Sequence, residues 1–172
     1  MQFDINTYYF FDYQHNRRFK PVNMPKELTV IVDSNEQLAL INKTCTDFIP
    51  HIKMPLENGD YSLLGYEDKI VCERKMQSDW LHYIGKDRKN TELKLDRMQN
   101  YPYKAFIIET PDVYDVSRAY KLTKESVRGF LKSLRFRRGF HVFIHHNRDL
   151  CQMFLLDFLT YSFKLIKENE KC

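Results

Sequence analysis

Asp60, Glu73 and Lys75 are spaced as a short hairpin would need to set two carboxylates beside an ammonium group. Such a trio has a definite chemical use. Divalent cations take hard oxygen ligands, and phosphodiester hydrolysis needs a positioned cation to help water attack phosphorus. Residues 60–64 read as one strand, 65–68 as a turn and 69–75 as the returning strand. Side chains alternate along a strand, so Glu73 and Lys75 are expected on one face, with Cys72 and Arg74 on the other. Gly59 permits a sharp turn just before the first acid.

A solvated hairpin face would carry the same residue types, and a bare acid, gap, acid, lysine spacing recurs by chance. More than the bare spacing is present. Gly59-Asp60, Glu73-Arg74-Lys75 and Asp79 follow one another in order. Val32-Asp33-Ser34-Asn35-Glu36 precedes them. Phe106-Ile107-Ile108-Glu109 comes after, and then a basic stretch, a glycine and an apolar strand between Leu131 and Ile144. Across residues 27–159 this order resembles the XPF/Mus family of structure-specific DNA endonucleases.

The resemblance implies an α/β fold of the restriction-endonuclease-like, PD-(D/E)xK class, with a central mixed sheet flanked by helices. It also implies a site. Asp33, Asp60 and Glu73 would hold one or two divalent ions, magnesium with manganese as substitute, while Lys75 orients the water or offsets transition-state charge. Glu36 would assist through a bound water, with Arg74 in support. Arg88 matches the family's arginine and is expected on DNA. The implied substrate is branched, flapped or forked DNA. Asn35 departs from the arginine usual in the opening motif, and Gly85-Lys86-Asp87-Arg88 carries two extra residues. No helix-hairpin-helix pair follows before Cys172, so a second DNA-binding surface is expected to come from elsewhere or to be missing.

Strands alternate with helices in the rest of the chain, as an α/β domain requires. Residues 28–32 are an apolar strand ending at Asp33, 34–44 a helix, and 48–54 a strand that Pro50 makes an edge or irregular at its start. A helix follows Lys75, with Ser78 or Asp79 as its cap and Trp80 as core. Residues 91–99 read as a further helix, leading to a strand at 105–108. Thr123 is placed to cap the next helix, with Glu125 in its first turn and Val127, Phe130, Leu131 and Leu134 on its buried face. Lys132, Arg135, Arg137 and Arg138 crowd its end, where they either meet phosphates or complement the helix dipole. Gly139 ends that helix and residues 141–144 form a strand. Adjacent His145 and His146 should face opposite ways and read as structural.

The last helix, residues 148–167, is apolar around nearly its whole circumference, so it either lies deep in the core or covers a partner. The second alternative, together with the missing helix-hairpin-helix pair through which members of the resembled family contact each other, makes a homodimer or a partner subunit the expectation. With 172 residues and 43% hydrophobic content, the chain suits one domain with a substantial core. Residues 1–26 are an arm or extra strand, and 27–172 the nuclease-like domain. A net charge of +4 permits DNA as a partner without requiring it. Cys45, Cys72, Cys151 and Cys172 lack paired metal spacing and read as intracellular thiols. Neither a signal peptide nor a membrane span is evident. Two rivals to a junction-specific nuclease stay open: a generic duplex nuclease of the same fold, and a non-catalytic scaffold binding DNA or a partner.

Overall fold

Val30, Ile31 and Val32 are all buried, as a strand covered on both faces demands, and they form β1 (Val30–Asp33). This computed structural model describes residues 25, 27–41, 49–116 and 122–171. The expected N-terminal arm, Cys45 and Cys172 lie outside them. After β1 come β2 (His51–Met54), β3 (Tyr61–Leu63) and β4 (Ile70–Met76), which runs directly into α1 (Gln77–Ile84). Then follow α2 (Arg88–Arg97), a 3-10 turn (Met98–Asn100), β5 (Tyr103–Glu109), α3 (Lys124–Lys132), a π-helical turn (Ser133–Arg137), β6 (His141–His145) and α4 (Arg148–Asn169).

The described strands make one six-stranded sheet in the order β2-β1-β3-β4-β5-β6. β1 pairs parallel to β2 and antiparallel to β3, β3 pairs antiparallel to β4, and β4, β5 and β6 are parallel. The sheet is therefore mixed and flanked by helices, the α/β arrangement expected from the sequence. Its first face, with Val32, Tyr61, Cys72 and Ile107, is covered by α4 through Leu155 and Leu159. The opposite face carries Val71, Phe106 and Ile108 against Trp80, Leu95 and Phe130 from α1, α2 and α3. Trp80 is core, its ring meeting Phe106 and Phe130 edge-on.

Several expectations shift. Residues 34–41 are turns and bends rather than helix, and residues 42–44 lie outside the description. Side chains compete with the helix there: Asn35 N–H donates to the Asp33 carboxylate and Leu38 N–H to Glu36. The cap of α1 is Met76, without a side-chain bond, so Ser78 and Asp79 fall inside the first turn. α2 begins at Arg88, three residues before the expected start. β2 is an edge strand, as Pro50 suggested. Thr123 caps α3 by accepting from Ser126 N–H, and Glu125 stands in the first turn. His146 lies beyond the end of β6, and its ring stacks on His145 at 4.7 Å instead of facing away. Most of the apolar surface of α4 is taken up inside the chain, with Phe154, Leu155, Leu156 and Phe158 all buried, while Tyr161 is exposed. That burial takes away one of the two grounds for the expected dimer or partner subunit and leaves the other, the missing helix-hairpin-helix pair, as it stood.

Gly59 is required by both its conformation and its surroundings. Its φ is +79°, and a Cβ there would stand 2.4 Å from Val71 Cγ2 and 3.0 Å from the Cys72 carbonyl oxygen. Gly59→Ala combines left-handed strain of roughly 1–2 kcal/mol with a core clash of about 1–3 kcal/mol. A loss of about 2–5 kcal/mol is expected in urea unfolding, and a change under about 0.5 kcal/mol would show that the loop relaxes freely.

Candidate active site

The chain returns from Asp60 to Glu73 as alternation along the hairpin requires. Tyr61 lies opposite Cys72 with both on the α4 face, so Asp60, Glu73 and Lys75 take the other side. Backbone bonds lock the arrangement: Asp33 N–H donates to the Asp60 carbonyl at 2.9 Å and Asp60 N–H to the Cys72 carbonyl at 2.8 Å. Asp60 Oδ2 in turn accepts the Arg74 N–H at 2.6 Å.

Glu73 is wholly buried, and two ammonium groups meet it. Lys75 Nζ lies 2.5 Å from Oε1. Lys94, from α2, stands 2.8 Å from both oxygens, donating a directed hydrogen bond to Oε1 and meeting Oε2 by charge alone. Lys75 is further held by the Arg74 carbonyl at 3.2 Å and by the Tyr83 ring, whose centroid is 5.2 Å away. Burial alone would pull its proton off more easily, but Glu73 and Asp60, with help from Asp79, outweigh that and hold the ammonium. Asp60 experiences the opposite balance. Burial first, and then the Glu73 charge, push its carboxyl up to about 7 against the attraction of Lys75 and Lys94. Two buried carboxylates offer the hard oxygen donors that a divalent cation takes, with two lysines balancing their charge in its place.

Not all the expected ligands join them. Among the described residues no three His, Cys, Asp or Glu side chains converge as a metal-binding group. Asp33 is buried, but its two oxygens accept the N–H groups of Asn35 and Leu56 at 3.0 and 2.8 Å, closing the loops on either side of it. Glu36 is drawn to the other side of the sheet. Its Oε1 accepts from Arg74 Nη1 at 3.2 Å rather than facing Glu73. Arg74 also grips Glu109 at 2.5 Å and the Leu38 carbonyl, while Arg148 binds Glu109 and the carbonyls of Leu38 and Ala39. Arg74 thus clamps β4 to β5 and the loop after β1, behind the site, and Arg148 ties α4 to the same Glu109.

The expected DNA contacts divide in the same way. Arg88 is exposed at the start of α2, at 3.9 Å from Glu92. Arg135 and Arg137 are exposed on the π-helical turn, and Phe136 between them is 83% exposed. Arg138 is withdrawn from this set. It is buried, and its guanidinium binds Glu92 and Asp96 of α2, each at 2.6 Å. Sequence reading missed Lys94 at Glu73 and Arg148 at Glu109; Lys94 shows only as one more cation on a helix until the fold brings it 21 positions back.

No protein-family model matches the chain, and no curated protein matches it. Solved structures do. The chain is similar to XPF from Aeropyrum pernix in complex with DNA, at 23% identity and a TM-score of 0.63, over 79% of this chain and 65% of that one. It is also similar to XPF from Aeropyrum pernix at 20% identity and a TM-score of 0.63, over 78% of this chain and 61% of the other. The chain spans less than two thirds of either, and what it shares with them is the fold of an XPF-like nuclease domain.

Titration of Asp60 sets a sign for stability. The folded carboxyl is raised to about 7 from an ordinary 3.8, so the fold holds this proton more tightly than the unfolded chain. The associated stabilisation is fully present below about pH 4 and lost as pH rises through 7. Asp60→Asn abolishes this titration. In chelator, the variant should gain on the parent between pH 4 and pH 8 by on the order of 2–4 kcal/mol. Urea unfolding at both ends of that window checks it, and a pH-independent difference would count against the raised carboxyl.

Proposed function

We propose that this chain is a divalent-metal-dependent DNA nuclease hydrolysing phosphodiester bonds, with branched, flapped or forked DNA as substrate. The observation that carries the reading is the trio on one sheet face: Asp60 with its carboxyl pushed up to about 7, Glu73 buried beside it, and Lys75 locked against Glu73. Likeness of fold to XPF structures, one of them a complex with DNA, supports it.

Asp60 and Glu73 are the residues that would hold the ion, and magnesium, or manganese in its place, would supply polarisation of the phosphate and a more acidic bound water. Asp33 keeps a structural role beside them, holding the loops that carry Asp60. Lys75 retains its proton at Nζ and presents it where negative charge develops. The clamp of Arg74 and Glu109 keeps β4 in register behind the reacting face. Arg88, Arg135 and Arg137 meet backbone phosphates, giving affinity without sequence preference. The chain works with DNA inside a cell.

A second reading is a non-catalytic scaffold that binds DNA or a partner. Glu73 already balanced by two lysines, and Asp33 already satisfied by backbone, are the observations that favour it. Cleavage of linear, flapped and forked DNA with magnesium, manganese and chelator separates the readings. Metal-dependent cutting concentrated at branches supports the proposal, equal cutting of linear duplex points to a generic nuclease, and binding without cutting to a scaffold.

Asp60→Asn and Lys75→Ala should each lower the cleavage rate on the order of a hundredfold or more while the fold and most DNA binding persist. Activity within a few-fold of the parent in both would falsify the assigned site. Replacing Arg135 and Arg137 together by alanine should weaken binding to every DNA sequence and flatten the salt dependence by about one unit for each phosphate that goes unmet. An unchanged salt slope in fluorescence anisotropy would leave these arginines as helix-end charges only.

A further inference from the structure

Glu73 has two cationic partners, and they are not equivalent. Lys75 comes from the same strand and is bound on three sides, by Glu73, by the Arg74 carbonyl and by the Tyr83 ring. Lys94 reaches in from α2, and among the described residues Glu73 is its one hydrogen-bond and ion-pair partner. Its side chain is 29% exposed, against 18% for Lys75. It meets Oε2 without hydrogen-bond geometry, so half of its hold is charge alone. With Asp60 and Glu73 ionised, Lys75 and Lys94 bring the group to neutrality. A divalent ion added to that group would leave it with two excess positive charges in a buried setting, where like charges repel strongly.

We infer that Lys94 is an exchangeable counter-cation: its ammonium leaves Glu73 when a divalent ion binds at Asp60 and Glu73, and then serves the DNA phosphate at the mouth of the site. This inference rests on the nuclease reading above and adds a substrate-binding residue to it. Lys94 is well placed for both states. A four-carbon stem on a helix facing solvent can swing its charge outward without moving the backbone. One side chain thereby links metal occupancy to DNA affinity, each strengthening the other.

The test is metal binding by the full chain without DNA, followed by DNA binding. Titration calorimetry with manganese should show Lys94→Gln and Lys94→Met binding the ion about fivefold or more tightly than the parent, the usual lower range for coupled sites. In calcium, anisotropy with flapped DNA should show both variants binding more weakly, with the salt slope reduced by about one. Unchanged or weaker manganese binding by folded variants would overturn the inference, as would unchanged DNA affinity. A merely structural lysine would lower melting temperature and metal affinity together. The parent gives a readout needing no substitution: on magnesium addition, the Lys94 side-chain nitrogen resonance should move to the position of a solvated lysine, and an unmoved signal in a metal-bound chain counts against displacement. A parent that binds neither manganese nor DNA fails the nuclease reading as well. A parent that cuts DNA, with variants of unaltered metal affinity, fails this inference alone.

Discussion

A carboxylate with no exposure to solvent must be met by positive charge, and Glu73 in the middle of the sheet imposes that demand on everything around it. Lys75 answers from the same strand and Lys94 from α2. Asp60 shares the enclosure and is pushed towards its neutral form, first by burial and then by the Glu73 charge, against the pull of both lysines. Breaking one member of such a set leaves another uncompensated, so these residues act as a unit rather than as separate contacts. The geometry of the hairpin, the placement of α2 and the left-handed glycine before Asp60 all serve this enclosure.

The reverse side of β4 carries a second charged assembly with a different purpose. Arg74 is buried there between Glu109 and Glu36, and Arg148 joins from the start of α4. Its partners come from β5, from the loop after β1 and from the last helix, so the assembly ties together segments distant in sequence. Alternation along a single strand separates the two assemblies by one residue. A register slip of one position would exchange their faces and ruin both.

Much of this was legible in the chain. Alternation placed Glu73 and Lys75 together and Arg74 apart, and the structure agrees, because a hairpin is a local object whose pleat leaves no freedom. Thr123 was readable as a cap for the same reason. Residues 34–41 were not, since two acidic side chains divert the N–H groups a helix would need. Composition showed a run of cations at the end of α3 but could not show that Arg138 would sink onto acids 42 and 46 positions earlier. Lys94 and Glu36 escaped on the same ground: which face of the sheet each would meet depends on how remote elements dock.

Arg138 sinks into the α2 acids directly after the exposed turn that carries Arg135, Phe136 and Arg137, and Leu134 is fully buried just before it. The turn is thus riveted at both ends. Three outward side chains on an immobilised backbone give up only rotamer freedom when they meet another surface, whereas a loose tail of the same composition would forfeit main-chain freedom as well. Any association made through this turn begins with that entropy already surrendered during folding.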